Sequence, residues 1–160
     1  MYILIWTQHP GDILGEAINF LTHGNAQHAG FLRKNGLIHE AYYPKVRDRK
    51  MSPLEKQYIR CFHLKNVTDV QQDKFERIFD INLKAQIEYS ISDLFRFQFN
   101  VEFPDEMHTI CSRYDYHTIS QVDTSLLPLV RCEDDQVSPR DLLISPNLEE
   151  VDINTVFIQN

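Results

Sequence analysis

The chain has 160 residues and a mass of 18.9 kDa, enough for one ordinary core without a linker. With 16 Lys and Arg against 23 Asp and Glu the formal charge is −7, which argues against a protein that binds a phosphate backbone. Ten Phe and seven Tyr beside only five Gly give the composition of a packed globular protein rather than a disordered or fibrous one.

The first apolar run, Tyr2–Thr7, is rich in β-formers and ends at Pro10-Gly11, so a strand and a turn are predicted. The run is far shorter than the ~20 residues of a membrane span and lacks the basic flank of a signal peptide. Asp12 then caps a predicted helix over 12–22, in which Ile13, Leu14, Ala17, Ile18 and Leu21 recur at helical spacing before Gly24-Asn25. Two short β-prone runs follow, His28–Leu32 and Leu37–Tyr43, separated by Arg33-Lys34-Asn35-Gly36. The Asn-Gly pair makes this a predicted hairpin. The basic stretch Lys45–Lys50 reads as a solvated loop, and Gln57–Leu64 as a further strand holding Cys61 as a core thiol.

From Thr68 the period changes. Val70, Phe75, Ile78, Phe79, Leu83 and Ile87 fall mainly on one face of a predicted helix over 69–87, with Thr68 and Gln71 forming a capping box. Tyr89, Ile91, Leu94, Phe95, Phe97 and Phe99 form another apolar cluster, ended near Asn100 and Pro104-Asp105. A helix is predicted over 109–121 with Thr109 as its cap, which places Cys111 in the first turn. The remainder from Pro128 is turn-rich, and residues 151–158 are expected to return as a closing strand. The sum is an α+β fold with a mostly antiparallel sheet beside helices.

Three cysteines, Cys61, Cys111 and Cys132, form no CxxC pair, so reduced thiols and a cytoplasmic setting are expected. Cys111 alone stands at a helix N-terminus, where partial positive charge favours a thiolate. Cys132 precedes Glu133-Asp134-Asp135, whose charge opposes one. A nucleophilic thiol needs a base, and the base needs an orienting group. Asp115 and His117 share the Cys111 helix, but residues 111 and 117 stand roughly 240° apart around it and point away from each other. His28, on a strand, is the better base. Its orienting partner depends on the hairpin register. A three-residue loop, Lys34–Gly36, pairs His28 with Tyr42 and brings Glu40 to its face. The two-residue loop Asn35-Gly36, which local turn rules prefer, brings His39 instead. His23, His28, His39, His108, Cys111 and His117 are the residues from which a metal site would be drawn, but zinc-spaced ligand pairs are absent.

The segment His28-Ala29-Gly30-Phe31-Leu32, with Gly36-Leu37-Ile38-His39-Glu40-Ala41, resembles the His-x-Gly-hydrophobic hairpin of NlpC-like, papain-fold cysteine hydrolases. In those proteins a polar residue stands twelve after the histidine, a spacing that selects Glu40. Cys111-Ser112 follows the hairpin rather than preceding it, the order of the circularly permuted YiiX/YebB-like branch. Gly15–Gly24, Tyr89 with Asp93-Leu94, and Ser138-Pro139-Arg140-Asp141-Leu142-Leu143 resemble further landmarks of that branch. Arg113 and Ser90 depart from it, standing where acidic residues are usual. The resemblance implies a single domain over 1–160 with a papain-like, permuted NlpC-type fold and a bacterial or phage source. It also implies a cysteine hydrolase with Cys111, His28 and Glu40 as the catalytic triad and Tyr89 lining the site near the oxyanion. The implied substrate is a peptide, including peptides derived from peptidoglycan, or another small acyl-bearing molecule. No metal or other cofactor is required, and neither nucleic acid nor a membrane span is expected. Transfer or hydrolysis of lipid or thioester acyl groups, and a non-catalytic binding domain, are the alternative readings.

Overall fold

The structure, a computed structural model, describes residues 1–7, 16, 26–89, 108–109, 111–127 and 137–158. Its core element is an eight-stranded sheet. In chain order the strands are β1 (Tyr2–Thr7), β2 (Ala26–Leu32), β3 (Ile38–Tyr42), β4 (Lys45–Arg49), β5 (Ile59–Leu64), β6 (Glu88–Tyr89), β7 (His108–Thr109) and β8 (Leu148–Val151). The helices are α1 (Asp69–Ala85), α2 (Cys111–Val122), α3 (Pro139–Leu142) and α4 (Ile153–Ile158). The spatial order is β7-β6-β4-β3-β2-β1-β5-β8, and neighbours are antiparallel except the parallel pair β6–β7. The chain is therefore α+β, with an almost wholly antiparallel sheet beside helices.

Alternation along the strands sorts the apolar residues onto two faces. Ile3, Ile5, Ala29, Phe31, Ala41, Val46, Phe62 and Leu64 pack with Phe75 and Phe79 of α1 and with Tyr114, Ile119 and Val122 of α2. On the other face Leu4, Trp6, Leu32, Ile38, Ile59 and Cys61 pack with Ile153 and Val156 of α4. The ring of Phe31 lies 5.8 Å from Phe75 and 5.1 Å from Phe79. Full burial of each such side chain contributes about 1.5–3 kcal/mol.

The expected start of α1 is present, since Thr68 accepts from the Gln71 N–H and Gln71 reaches back to Thr68. Its apolar stripe is narrower than the spacing suggests. Only Phe75 and Phe79 are buried, whereas Val70 is 79% exposed. Gln86, in the left-handed region at φ 53°, ends the helix before Ile87.

The hairpin departs from local turn rules. Phe31 pairs with His39 and Leu32 with Ile38. The Arg33 N–H donates to the Leu37 carbonyl at 2.9 Å, and the Gly36 N–H to the Arg33 carbonyl at 3.0 Å. The loop is thus Lys34–Gly36, with Gly36 at φ 78° and the Asn35 side chain accepting from Leu37 N–H. Tertiary bonds hold this longer loop: buried Arg33 pairs with Asp48, Glu76 and Asp80, and the Lys34 N–H donates to Glu76.

Three further expectations are corrected. Lys45–Arg49 is not a solvated loop but strand β4, in which Arg47 stands opposite Glu40. Its charge is tolerated because acidic partners face it. Residues 151–158 do not form a closing strand. The strand is Leu148–Val151, and the Asp152 side chain accepts from Asn154 N–H, turning the chain into α4. Thr109 lies in β7 rather than capping a helix, and α2 begins at Cys111. Of the helix expected over 12–22, Glu16 is described and is helical. Pro10-Gly11, His23, Gly24-Asn25, the cluster from Ile91 to Phe99 with its Asn100 and Pro104-Asp105 boundary, Pro128 and Cys132 lie outside the described residues. Among the described residues no helix is long and apolar enough to cross a membrane.

Candidate active site

β2 and β3 bring His28 and Glu40 to one face. His28 Nε2 lies 3.0 Å from Glu40 Oε2, with His28 6% exposed and Glu40 fully buried. The three-residue loop creates this contact, since the register that pairs Phe31 with His39 carries Glu40 opposite Gly30. A Cβ on Gly30 would sit 3.0 Å from the His39 carbonyl oxygen and 3.1 Å from Glu40 Cβ. The glycine of His-x-Gly thus gives the β3 backbone room to approach.

Glu40 accepts further bonds from β4: Arg47 Nε at 2.9 Å and Arg49 Nε at 2.7 Å, both on Oε1, and Arg49 Nη2 at 3.2 Å on Oε2. Burial alone would push its carboxyl up. The His28 hydrogen bond and charge, together with Arg49, instead hold it well below the usual carboxylate range. An ionised Glu40 fixes the tautomer, so Nε2–H donates to it and Nδ1 is left for another partner. Cys111, the first residue of α2 and 1% exposed, is close enough to act on the imidazole electrostatically. Burial pulls the imidazole of His28 downward, but the charge and hydrogen bond of Cys111, then those of Glu40, outweigh it and raise His28 well above an ordinary histidine. The rings of Trp6 and Tyr42 enclose the imidazole, with centroids 5.0 Å and 5.3 Å away. Next to Cys111, buried Ser112 donates from Oγ to the Val137 carbonyl at 2.6 Å, tying the start of α2 to the chain ahead of α3.

The other residues singled out by sequence are placed as follows. His39 is on the opposite face, with Nδ1 2.6 Å from Asp48 Oδ1 and Nε2 2.6 Å from Tyr114 Oη, so it does not partner His28. Tyr89 lies in β6, is 5% exposed and pairs with Thr109, two residues before Cys111. It lines a groove of about 930 Å³ with Tyr43, Pro44, Lys45, Lys84 and Gln86. Cys61 is a core thiol of β5, pushed up to about 12 by burial. His117 is exposed and bonds Gln121 at 2.8 Å, while Cys111 on the same helix is buried, as their angular separation requires.

Four further side chains bear on the pair of His28 and Glu40, of which the sequence pattern sets apart only Asp115, as a helix neighbour of Cys111. Arg47 and Arg49 were hidden in a segment read as loop. The period-2 spacing of the two arginines just after Tyr43-Pro44, facing a hairpin with an inward glutamate, was the available signal. Glu55 is buried at 8% exposure and accepts from Arg49 Nη1 at 2.6 Å. Asp115, one turn after Cys111, is fully buried with neither carboxyl oxygen hydrogen-bonded. Burial first, then the charges of Cys111 and Glu40 against the opposing pull of His28, push its carboxyl well above the ordinary range.

Among the described residues no group of three or more His, Cys, Asp and Glu is placed to hold a metal ion. The donors near Cys111 suit one poorly, because Glu40 already faces two guanidinium groups.

No family model matches the chain, and no curated protein does. A solved structure is similar: that of the metalloprotein YiiX from Escherichia coli O157:H7, a DUF1105 protein. The two chains are 16% identical, the TM-score is 0.62, and the match covers 94% of each. At that identity the likeness is one of architecture, and the chain has a YiiX-like α+β fold.

Proposed function

We propose that this protein is a cysteine hydrolase of permuted papain-like, NlpC-type architecture, acting on an amide bond of a peptide, including those derived from peptidoglycan, through an acyl-enzyme. The observation that carries the reading is the position of His28, hydrogen-bonded through Nε2 to buried, ionised Glu40 and under the electrostatic influence of Cys111, which opens a helix. Cys111 and His28 act as a thiolate–imidazolium pair, and the sulfur attacks the carbonyl carbon. A C–S bond forms, the carbonyl pair moves to oxygen, and N–H groups of the first turn of α2 face the developing charge. The C–N bond then breaks as His28 returns its proton to the leaving amine. Water, deprotonated by His28, attacks the thioester, and the C–S bond breaks to release the acid and the thiolate. An alcohol or thiol acceptor in place of water turns the same intermediate to acyl transfer. YiiX is described as a metalloprotein, but the donor set here does not fit a cation and no step is routed through one.

The test is alkylation of each cysteine across pH, read by mass spectrometry, in the parent and in His28→Ala. Cys111 is expected to react at least about tenfold faster than Cys61 at pH 7, and to lose that advantage in His28→Ala. Equal reactivity of the two thiols, or indifference of Cys111 to His28, overturns the hydrolase in favour of a binding domain on the same fold.

A further inference from the structure

Beyond Glu40, a chain of contacts leaves the imidazole of His28 and returns to it. Glu40 accepts from Arg49 Nε at 2.7 Å. The same guanidinium donates from Nη1 to Glu55 Oε1 at 2.6 Å. Glu55 Oε2 accepts from the indole N–H of Trp6 at 3.3 Å, and the Trp6 ring lies against the imidazole at 5.0 Å. Trp6 is cross-strand partner to His28, and Arg49 also lies 5.5 Å from its ring. Glu55 is further held by the Ser52 N–H. Its carboxylate comes from the connection ahead of β5 rather than from the hairpin. Burying a carboxylate is costly unless it is fully paired, and every oxygen of Glu55 is occupied by a member of this ring or its own turn.

We propose that Glu55 is a positioning residue for His28, acting through Arg49 on one side and Trp6 on the other. His28, Glu40, Arg49, Glu55 and Trp6 then work as one closed ring that fixes both the hydrogen bond and the plane of the imidazole. The proposal rests on the hydrolase reading for the purpose of His28, but not for the ring itself. Glu55 divides the charge of Arg49 between two carboxylates. Without it the guanidinium falls wholly on Glu40, which then holds a charged imidazole less strongly. The groups that face His28 are Cys111 and Asp115 from α2 and Glu40 from β3, with Arg47 and Arg49 of β4 behind Glu40. None is altered by changing Glu55.

Trp6 is the only tryptophan of the chain, so its fluorescence reports the charge on the adjacent imidazole. The experiment is a pH titration of Trp6 emission, paired with alkylation of Cys111, in the parent, His28→Ala and Glu55→Gln. The parent is expected to show an emission step as His28 loses its proton, and His28→Ala to abolish it. Glu55→Gln is expected to move the step down by about one pH unit and to slow Cys111 alkylation at pH 7 by about threefold or more. Trp6→Phe keeps a ring on His28 but cannot donate to Glu55, and alkylation in this variant is expected to slow in the same direction by less. If Glu55→Gln and Trp6→Phe give Cys111 profiles that superimpose on the parent while His28→Ala does not, the ring is overturned and the hydrolase stands. If the emission step moves in Glu55→Gln but Cys111 ignores His28→Ala, the ring's hold on His28 is upheld and the hydrolase falls.

Discussion

His28 and His39 are buried on opposite faces of one hairpin, and each bonds a carboxylate. They differ in the further partner. His39 is closed on both sides, by Asp48 and by the Tyr114 hydroxyl, which itself accepts from Asn82 at 2.8 Å, and Arg33 donates to Asp48 behind it. That network joins β3, β4, α1 and α2, and every partner in it is fixed. For His28 the further partner is the Cys111 thiol, which acts on the imidazole electrostatically instead. A histidine bonded to a carboxylate is therefore no sign of catalysis by itself; what else the imidazole faces decides whether it serves as a strut or a base.

The comparison can be broken by exchanging the expected effects. His28→Ala is expected to lower turnover of an acyl substrate, once one is identified, by about 10²–10⁴-fold. Its stability in urea should fall too, by the smaller amount of the two variants, since a cavity is left but Glu40 keeps both arginines. His39→Ala should cost more, about 2–4 kcal/mol of unfolding free energy, by leaving a cavity and stripping a partner from Asp48 and Tyr114 while Cys111 stays reactive. Equal loss of stability in the two variants would erase the distinction.

Asp115 sharpens it further, because an unbonded buried carboxyl costs about 1–3 kcal/mol. Its carboxyl is raised in the fold, so the native state holds more protons than the unfolded chain above the ordinary carboxylate range. Stability on this account is complete below that range and falls as pH rises toward the folded-state value. Asp115→Asn removes the titration. Its unfolding midpoint should gain on the parent progressively from pH 4 to pH 8, and a constant difference across that span would show that Asp115 does not titrate as described. The smallest effect is expected from Tyr114→Phe, about 1 kcal/mol from one lost hydroxyl, with Cys111 alkylation unchanged.

Much of this was legible in the residues. The run Tyr2–Thr7, the Thr68–Gln71 capping box and a cysteine opening a helix are local signals, and each formed as its sequence requires. Glu40 was harder. Local turn rules favoured the loop that brings His39 to His28, whereas the observed register rests on bonds from Arg33 and Lys34 to α1, about forty residues away in sequence. β4 was hidden because an alternating Lys-Val-Arg-Asp-Arg pattern reads as surface until its acidic partners, Glu40 and Asp48, are known to lie opposite. Glu55 had no local signal, since its role depends on an arginine and a tryptophan brought from two different strands.

Surface loops ordinarily accept an inserted residue at little cost, and the tip Lys34–Gly36 would pass for a convenient place to add one. Here the strand period makes the length of that tip a chemical parameter. One residue more or fewer rotates β3 so that His39 turns toward the face of His28 and Glu40 toward the phenylalanines of α1. The same atoms would then form a protein with the places of its two buried histidines exchanged, and with a carboxylate in its core. Natural variation in this chain should therefore change the identity of residues 34–36 while keeping their number at three.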